Sequence, residues 1–405
     1  MYKSLSKLFH KDDTAWKAAY TSLYNSPLNR KIDISIKQMD STKEFPAFFC
    51  YTEDLFSLFE KISSQLVMLH QLINNVPQIA IKHFRQSCLI EEIQASNEIE
   101  GVHSTKREIK TAIDYQADLT NANNTRLWGI VNKYEKLQSL DDIPFNNSQD
   151  LRTFYDSFVL DEVCRADPNN APDGRIFRKS SVDIWGRTKV IHRGVNPEEK
   201  IILLMDKALA ILQDKTIPSL IRISIFHYLF GYIHPFYDGN GRTSRFITSY
   251  YIAQTLDPLA ALRLSITIKR SSRAYYKLFD ETNAYGNCGD LTPFVNGFTV
   301  LIYKSIENVV KSLGNKMKQL FELSDRLDHT LSLDEIDYLI YFILLQAALF
   351  SDDGATQEEI AAAIGKSPRT VSNHIKKYPK DHIIINKENK AYRFKLNIKK
   401  LLPPG

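Results

Sequence analysis

The chain is poor in cysteine. Four in 405 residues, Cys50, Cys88, Cys164 and Cys288, lie far apart, and none belongs to a C-x-x-C pair. That argues against a disulfide framework or a cysteine zinc site, and reduced thiols in a cytoplasmic protein are the expectation. Glycine and proline are also scarce, 15 of each, too few for a low-complexity or fibrous chain. No apolar run approaches the roughly 20 residues of a membrane span. The longest, residues 338–350, is interrupted by Gln346 and reads as a buried helix. The opening Met1-Tyr2-Lys3-Ser4 leads into no apolar stretch of the kind a secretory signal carries. Nor is there a strong excess of one charge: 52 Lys and Arg against 47 Asp and Glu leave +5, little support by itself for a nucleic-acid partner. No membrane partner is expected.

The length suffices for two or three domains. Apolar residues recur at three- and four-residue spacing over long segments, so the expected class is mainly α. Residues 55–73 are an example, with Leu55, Leu58, Phe59, Ile62, Leu66, Leu69, Leu72 and Ile73 on one side and Pro77 as a stop. Residues 1–85 read as a helical N-terminal region with a mixed, loop-rich start. A break at 167–174 precedes β-branched residues on both sides of Trp185-Gly186-Arg187, which predict a β-hairpin. Helical spacing returns at 200–212, 218–232 and 242–254.

Between the last two of these helices lies His234-Pro235-Phe236-Tyr237-Asp238-Gly239-Asn240-Gly241-Arg242-Thr243-Ser244-Arg245. Gly239 and Gly241 let the backbone approach a ligand. They sit just before a helix start, where loop amides and the helix N-terminus form an anion site. Arg242 and Arg245, three apart, project to one side and suit a polyphosphate. Asp238 offers a hard oxygen to Mg²⁺, and His234 can accept a proton near neutral pH.

This run resembles the signature of the Fic family, His-Pro-Phe-x-(Asp/Glu)-Gly-Asn-Gly-Arg-x-x-Arg, at every defined position. The resemblance implies a protein that binds ATP with Mg²⁺ and transfers AMP to a Thr, Ser or Tyr hydroxyl of a protein, itself included. It implies His234 as general base, Asp238 as the Mg²⁺ ligand, and Gly239, Asn240 and Gly241 as the anion hole. Arg242 would support the phosphates and Arg245 the γ-phosphate, with Thr243 and Ser244 also among the nucleotide-binding residues. The hairpin at 184–191 would be the flap that aligns the target segment. In Arg273-Ala274-Tyr275-Tyr276, Tyr276 would line the base, with core packing as the competing reading for both tyrosines.

Ser96-Asn97-Glu98-Ile99-Glu100-Gly101 resembles that family's inhibitory motif, (Ser/Thr)-x-x-x-Glu-(Gly/Asn). Ser96 and Glu100 share a helix face, and Gly101 is placed to end the helix. The implied brake is a carboxylate on Arg245 that takes the cation meant for the γ-phosphate. Glu98 stands at the wrong spacing.

From residue 332 the order helix, helix, turn, helix, hairpin resembles a winged helix-turn-helix. Thr356 and Ser367 are placed as N-caps, and Pro368 stands at a first helical position. Residues 366–400 hold eleven Lys or Arg against Asp381 and Glu388. With Arg369, Ser372, Asn373, Lys376 and Lys377 on or near the recognition helix, this segment suits DNA, and protein contact is the alternative. The expected organisation is a helical region over 1–85 and a Fic core over 86–310, with the inhibitory helix at about 90–101 and the catalytic loop at 234–245. A helical linker over 311–331 and the winged module over 332–405 follow. A homodimer tuning the inhibitory helix is the expected assembly. Removal of AMP, or a DNA-binding regulator with a nucleotide-sensing domain, are the alternative functions.

Overall fold

The computed structural model describes residues 2–9, 11–38, 41–116, 126–185, 190–331, 333–388 and 391–402. It is mostly helical, with three small antiparallel sheets, and divides into two compact units: residues 1–64 with 92–306, and residues 65–91 with 307–405.

In the first unit, strands β1 (Asn29–Lys37) and β2 (Glu44–Cys50) pair from Asn29 opposite Cys50 to Lys37 opposite Glu44. This hairpin lies in the region read from sequence as helical with a loop-rich start. Its signal is a period of two: Ile32, Ile34 and Ile36 are buried while Asp33 and Lys37 are exposed. A second hairpin joins β3 (Asp183–Trp185) to β4 (Val190–Arg193), at the place expected for the flap. The turn of that expectation, Gly186 to Lys189, lies outside the described residues.

Helices Glu198–Gln213 and Ser219–Ile233 pack together, and the second is buried almost all round. Helix Asn240–Thr255 packs against it with equally little exposure. The loop between these two helices is therefore fixed at both ends by core packing. Helices Ser148–Tyr155 and Asp161–Ala166 are joined by a single π-helical turn, Asp156–Leu160. Such turns recur at functional sites, and this one lies under the loop.

In the second unit, helix Glu335–Phe350 is capped by Asp334, and helix Gln357–Ile364 opens with a capping box of Thr356 and Glu359. Gly365, at φ +65°, turns the chain. Ser367 then caps helix Pro368–Ile375, with Pro368 at its first position. Strand β5 (Ala355–Thr356), β6 (Ile383–Glu388) and β7 (Ala391–Leu396) form one sheet in the order β5-β7-β6. The C-terminal fold is thus a winged helix, as its sequence predicts. Ser332, Asn389 and Lys390 lie outside the described residues. No helix among the described residues is long and apolar enough to cross a membrane.

Candidate nucleotide site

Helix Ser219–Ile233 ends because His234 takes a left-handed conformation, φ 54° and ψ 65°, ahead of Pro235. Its backbone is held on both sides: N–H donates to the Phe230 carbonyl at 2.9 Å, and the carbonyl accepts from Arg178 Nε at 2.9 Å. Burial, reinforced by the positive surroundings of His192 and Arg178, lowers the imidazole pKa to about 4. The ring is therefore neutral at physiological pH and free to accept a proton.

The loop is braced from inside. Asn240 spends its side chain on Phe236, accepting from its N–H at 3.0 Å and donating to its carbonyl at 2.8 Å. Phe236 stacks on Tyr155 at 3.6 Å, and Tyr155 donates to the Asp238 carbonyl at 3.0 Å. Gly239 has φ +76°, and a Cβ there would lie 3.1 Å from Val159 and 3.2 Å from Tyr155. Gly239→Ala should therefore cost about 1–2 kcal/mol of stability, read by thermal unfolding. An unchanged value would mean that the loop relaxes around the methyl group.

Helix Asn240–Thr255 leaves its first N–H groups without intrahelical partners, aimed out of its N-terminus. That end attracts an anion, and one is already present. A Cβ placed on Gly241 would fall 2.1 Å from Glu100 Oε1, so the Glu100 carboxylate rests directly on the helix's first turn. Arg245 Nη1 donates to the same oxygen at 2.8 Å. Its Nε and Nη2 donate to Ser96 Oγ at 3.1 Å and to the Ser96 carbonyl at 2.8 Å. Arg245 is 1% exposed, so its contacts to Ser96 are made out of water, while the Glu100 carboxylate stays open to solvent on one side.

Ser96 lies in the last turn of helix Gln78–Ile99, and Glu100 is the first residue beyond it. Gly101, at φ +73°, terminates it: Gly101 N–H returns to Glu98 and Val102 N–H to Asn97. Glu98 turns away to an ion pair with Lys269. Earlier on the helix, buried Glu92 accepts from Ser265 N–H at 2.8 Å, and burial raises its pKa to about 7.

The remaining expected residues divide. Arg242 is buried and tied to Glu162 at 2.6 Å, with Asp238 at 3.8 Å. Glu162 also holds Arg126 at 2.9 Å. Ser244 turns its hydroxyl to His227 Nδ1 at 3.2 Å, and Thr243 is fully buried, so neither side chain opens on the loop. His227 bridges Thr248 and Tyr275, both at 2.8 Å, and burial lowers its pKa to about 3. Tyr275 is thus a packing residue, while Tyr276 is 48% exposed on helix Ser272–Thr282. Tyr276 lies within the electrostatic reach of Glu100 and Arg245.

The Asp238 side chain is 37% exposed, with one oxygen accepting from Gly239 N–H. Among the described residues no group of three or more His, Cys, Asp or Glu forms a metal cage. A Mg²⁺ shared with substrate phosphates needs only one or two carboxylates, so an exposed Asp238 beside the anion site fits that ion. Sequence reasoning missed Tyr155, Glu162 and Arg178, which brace the loop from elements 56–83 residues distant.

Residues 147–252 match the model of the Fic/DOC family, and residues 333–385 that of a winged helix-turn-helix DNA-binding domain. The chain carries a Fic domain. The loop 234–245 lies inside the matched span, and 96–101 lies outside it. A Fic family protein from Desulfovibrio desulfuricans is 21% identical, over 85% of this chain and 96% of its own, with a TM-score of 0.50. It shares the fold. Fic-1 from C. elegans is 20% identical over 64% of this chain and 73% of its own, at a TM-score of 0.44. A Fic domain containing signaling protein from Bacteroides thetaiotaomicron is 16% identical over 65% and 97%, at 0.42.

Proposed function

We propose that the Fic domain transfers AMP from ATP to a hydroxyl of a protein, and that Glu100 restrains it. The observation that carries this reading is the Glu100 carboxylate seated on the first turn of helix Asn240–Thr255 and paired with Arg245. A site that holds an internal anion so closely is built for an anion of that charge and position.

In the proposed reaction a target hydroxyl attacks the α-phosphorus of ATP. Its oxygen bonds to phosphorus, the bond to the β-phosphate oxygen breaks, and pyrophosphate leaves. Neutral His234 takes the hydroxyl proton. The amides of Gly239, Asn240 and Gly241 surround the phosphates, Arg245 meets the γ-phosphate once Glu100 withdraws, and Arg242 stabilises the loop through Glu162. Thr243 and Ser244 contribute through their backbone, and Tyr276 lines the base. A Mg²⁺ held by Asp238 would neutralise phosphate charge. Most of the acceleration then comes from positioning and charge stabilisation. The test is transfer of label from α-labelled ATP to protein, self-modification included, by the wild type and by Glu100→Gly. No label from either, with ATP bound, would sink the reading and favour a hydrolytic or sensing role.

A second activity is supported by the winged module. On helix Pro368–Ile375, Val371 and Ile375 face inward, while Arg369 and Asn373 are exposed with Lys376 and Lys377 just beyond. We infer that this face binds duplex DNA within residues 366–400. Binding should fall steeply with salt, and replacing Lys376 and Lys377 with alanine should reduce the log–log salt slope by about 2. Absence of binding at low salt would overturn it.

A further inference from the structure

Arg178 is a cation sealed in the fold without a charged partner. It is 0% exposed, and among the described residues no carboxylate pairs with it. Its guanidinium donates instead to four backbone carbonyls. Nε reaches His234 at 2.9 Å, Nη1 reaches Ser180 at 2.6 Å, and Nη2 reaches Val195 at 2.8 Å and Ile233 at 3.4 Å. Taking a cation out of water is unfavourable, and for stability alone a well-packed apolar side chain would serve as well or better. What an apolar side chain cannot supply is a planar fork whose donors stand at fixed angles.

The four carbonyls belong to two structures. Ser180 stands just before β3 and Val195 just after β4, so they are the two feet of that hairpin. Gly194 N–H closes the stem on the Val182 carbonyl at 2.9 Å. Ile233 and His234 are the end of helix Ser219–Ile233 and the start of the catalytic loop. Val195 N–H adds a direct bond to the Ile233 carbonyl at 3.1 Å. The space between them is tight: a Cβ on Gly194 would fall 2.5 Å from Arg178 Nη2 and 3.3 Å from His234 Cβ. Both feet of the hairpin and the backbone of the reacting histidine are thus joined through one side chain.

Among the described residues β3 and β4 pair with no third strand, which leaves an edge for an extended segment. The distance from such a segment to His234 is set by the stem. We propose that Arg178 is a positioning residue that holds this edge in register with His234, and so governs the protein acceptor and not ATP. It rests on the transfer reading above. A misplacement of about 1 Å between reacting groups costs on the order of 10²-fold in rate. The charge has a separate effect on the base: burial, His192 on β4 and Arg178 lower the His234 pKa, while Glu100 raises it. Geometry and charge can therefore be told apart by substitution.

Two measurements test it, both on the full chain carrying Glu100→Gly, with Arg178 kept or changed to Lys or Met. The first is self-labelling from α-labelled ATP across ATP concentration and pH, normalised to the folded fraction by circular dichroism. At saturating ATP, Arg178→Met should label about 10²-fold more slowly while KM for ATP stays within about twofold. Its acid limb should move up, because a cation beside His234 is gone. Arg178→Lys keeps the charge but cannot span both feet, so its limb should stay with the parent while its rate remains down by about tenfold or more. A full rate in the Lys variant, or a KM for ATP that rises in step with the loss, overturns the proposal. The Lys variant decides where the Met variant fails to fold. The second measurement is amide hydrogen exchange. Gly194 and Val195 N–H should lose protection by about tenfold or more in Arg178→Lys, and the amides of helix Asn240–Thr255 should lose none. Unchanged protection at Gly194 and Val195 overturns the proposal. A parent that labels nothing removes the transfer reading, and the exchange result then shows separately whether Arg178 holds the hairpin to His234.

Discussion

Replacing Glu100 with glycine should raise self-labelling from α-labelled ATP by roughly tenfold to a hundredfold, the range of an ordinary coupling free energy between two competing sites. The competition is local. Glu100 lies over the helix turn that would cradle phosphate and uses Arg245 Nη1. ATP must displace that carboxylate or bind short of its productive position. With Glu100 gone, Arg245 keeps two contacts to Ser96, so the guanidinium stays in place with one face open. Glu100→Gln should lie between, since it keeps the bulk and loses the charge. Ser96→Ala should release less, because the Ser96 carbonyl still holds Nη2. Thermal unfolding of each variant separates release from damage, since a buried cation without its partner destabilises a fold. Flat labelling with ATP still bound would mean that Glu100 is no brake.

The parts of this protein legible in its sequence are those whose signal is local. The loop 234–245 spells its chemistry in consecutive residues, and the caps Thr356 and Ser367 mark helix starts by bonds three residues long. The β1–β2 hairpin is also written locally, as Ile32-Asp33-Ile34-Ser35-Ile36, but so short an alternation is a weak signal in a region that otherwise reads as helical with a loop-rich start. What supports the loop is not local. Glu162 stands 80 residues from Arg242, and Arg178 56 from His234, so no spacing rule connects them. A π-helical turn at 156–160 has no composition of its own to betray it. The role of Ser244 is not local either: its hydroxyl turns to the buried His227, 17 residues away on the preceding helix.

In the Glu100→Gly background, His234→Ala should lower labelling by about 10²–10⁴-fold, the contribution typical of a general base. The pH profile makes the assignment sharper. An ordinary histidine, with a pKa near 6.5, would lose base activity as pH falls through that value. His234 titrates near 4 because burial and the neighbouring His192 and Arg178 disfavour its cation while the Glu100 carboxylate favours it, so without Glu100 kcat/KM should hold from neutral pH down to about 5 and fall only at 4 or below. Bound ATP brings negative charge beside the ring, which favours the imidazolium, so the acid limb of kcat should lie above that of kcat/KM. Stability moves in the same direction. The unfolded chain protonates its histidines near 6.5, whereas folded His234 and His227 resist until about 4 and 3. Their contribution is present above 6.5 and is lost as pH falls through that window. Rates must therefore be normalised to the folded fraction at each pH, followed by circular dichroism. A limb at 6 to 7 that survives this correction would assign the base to another group.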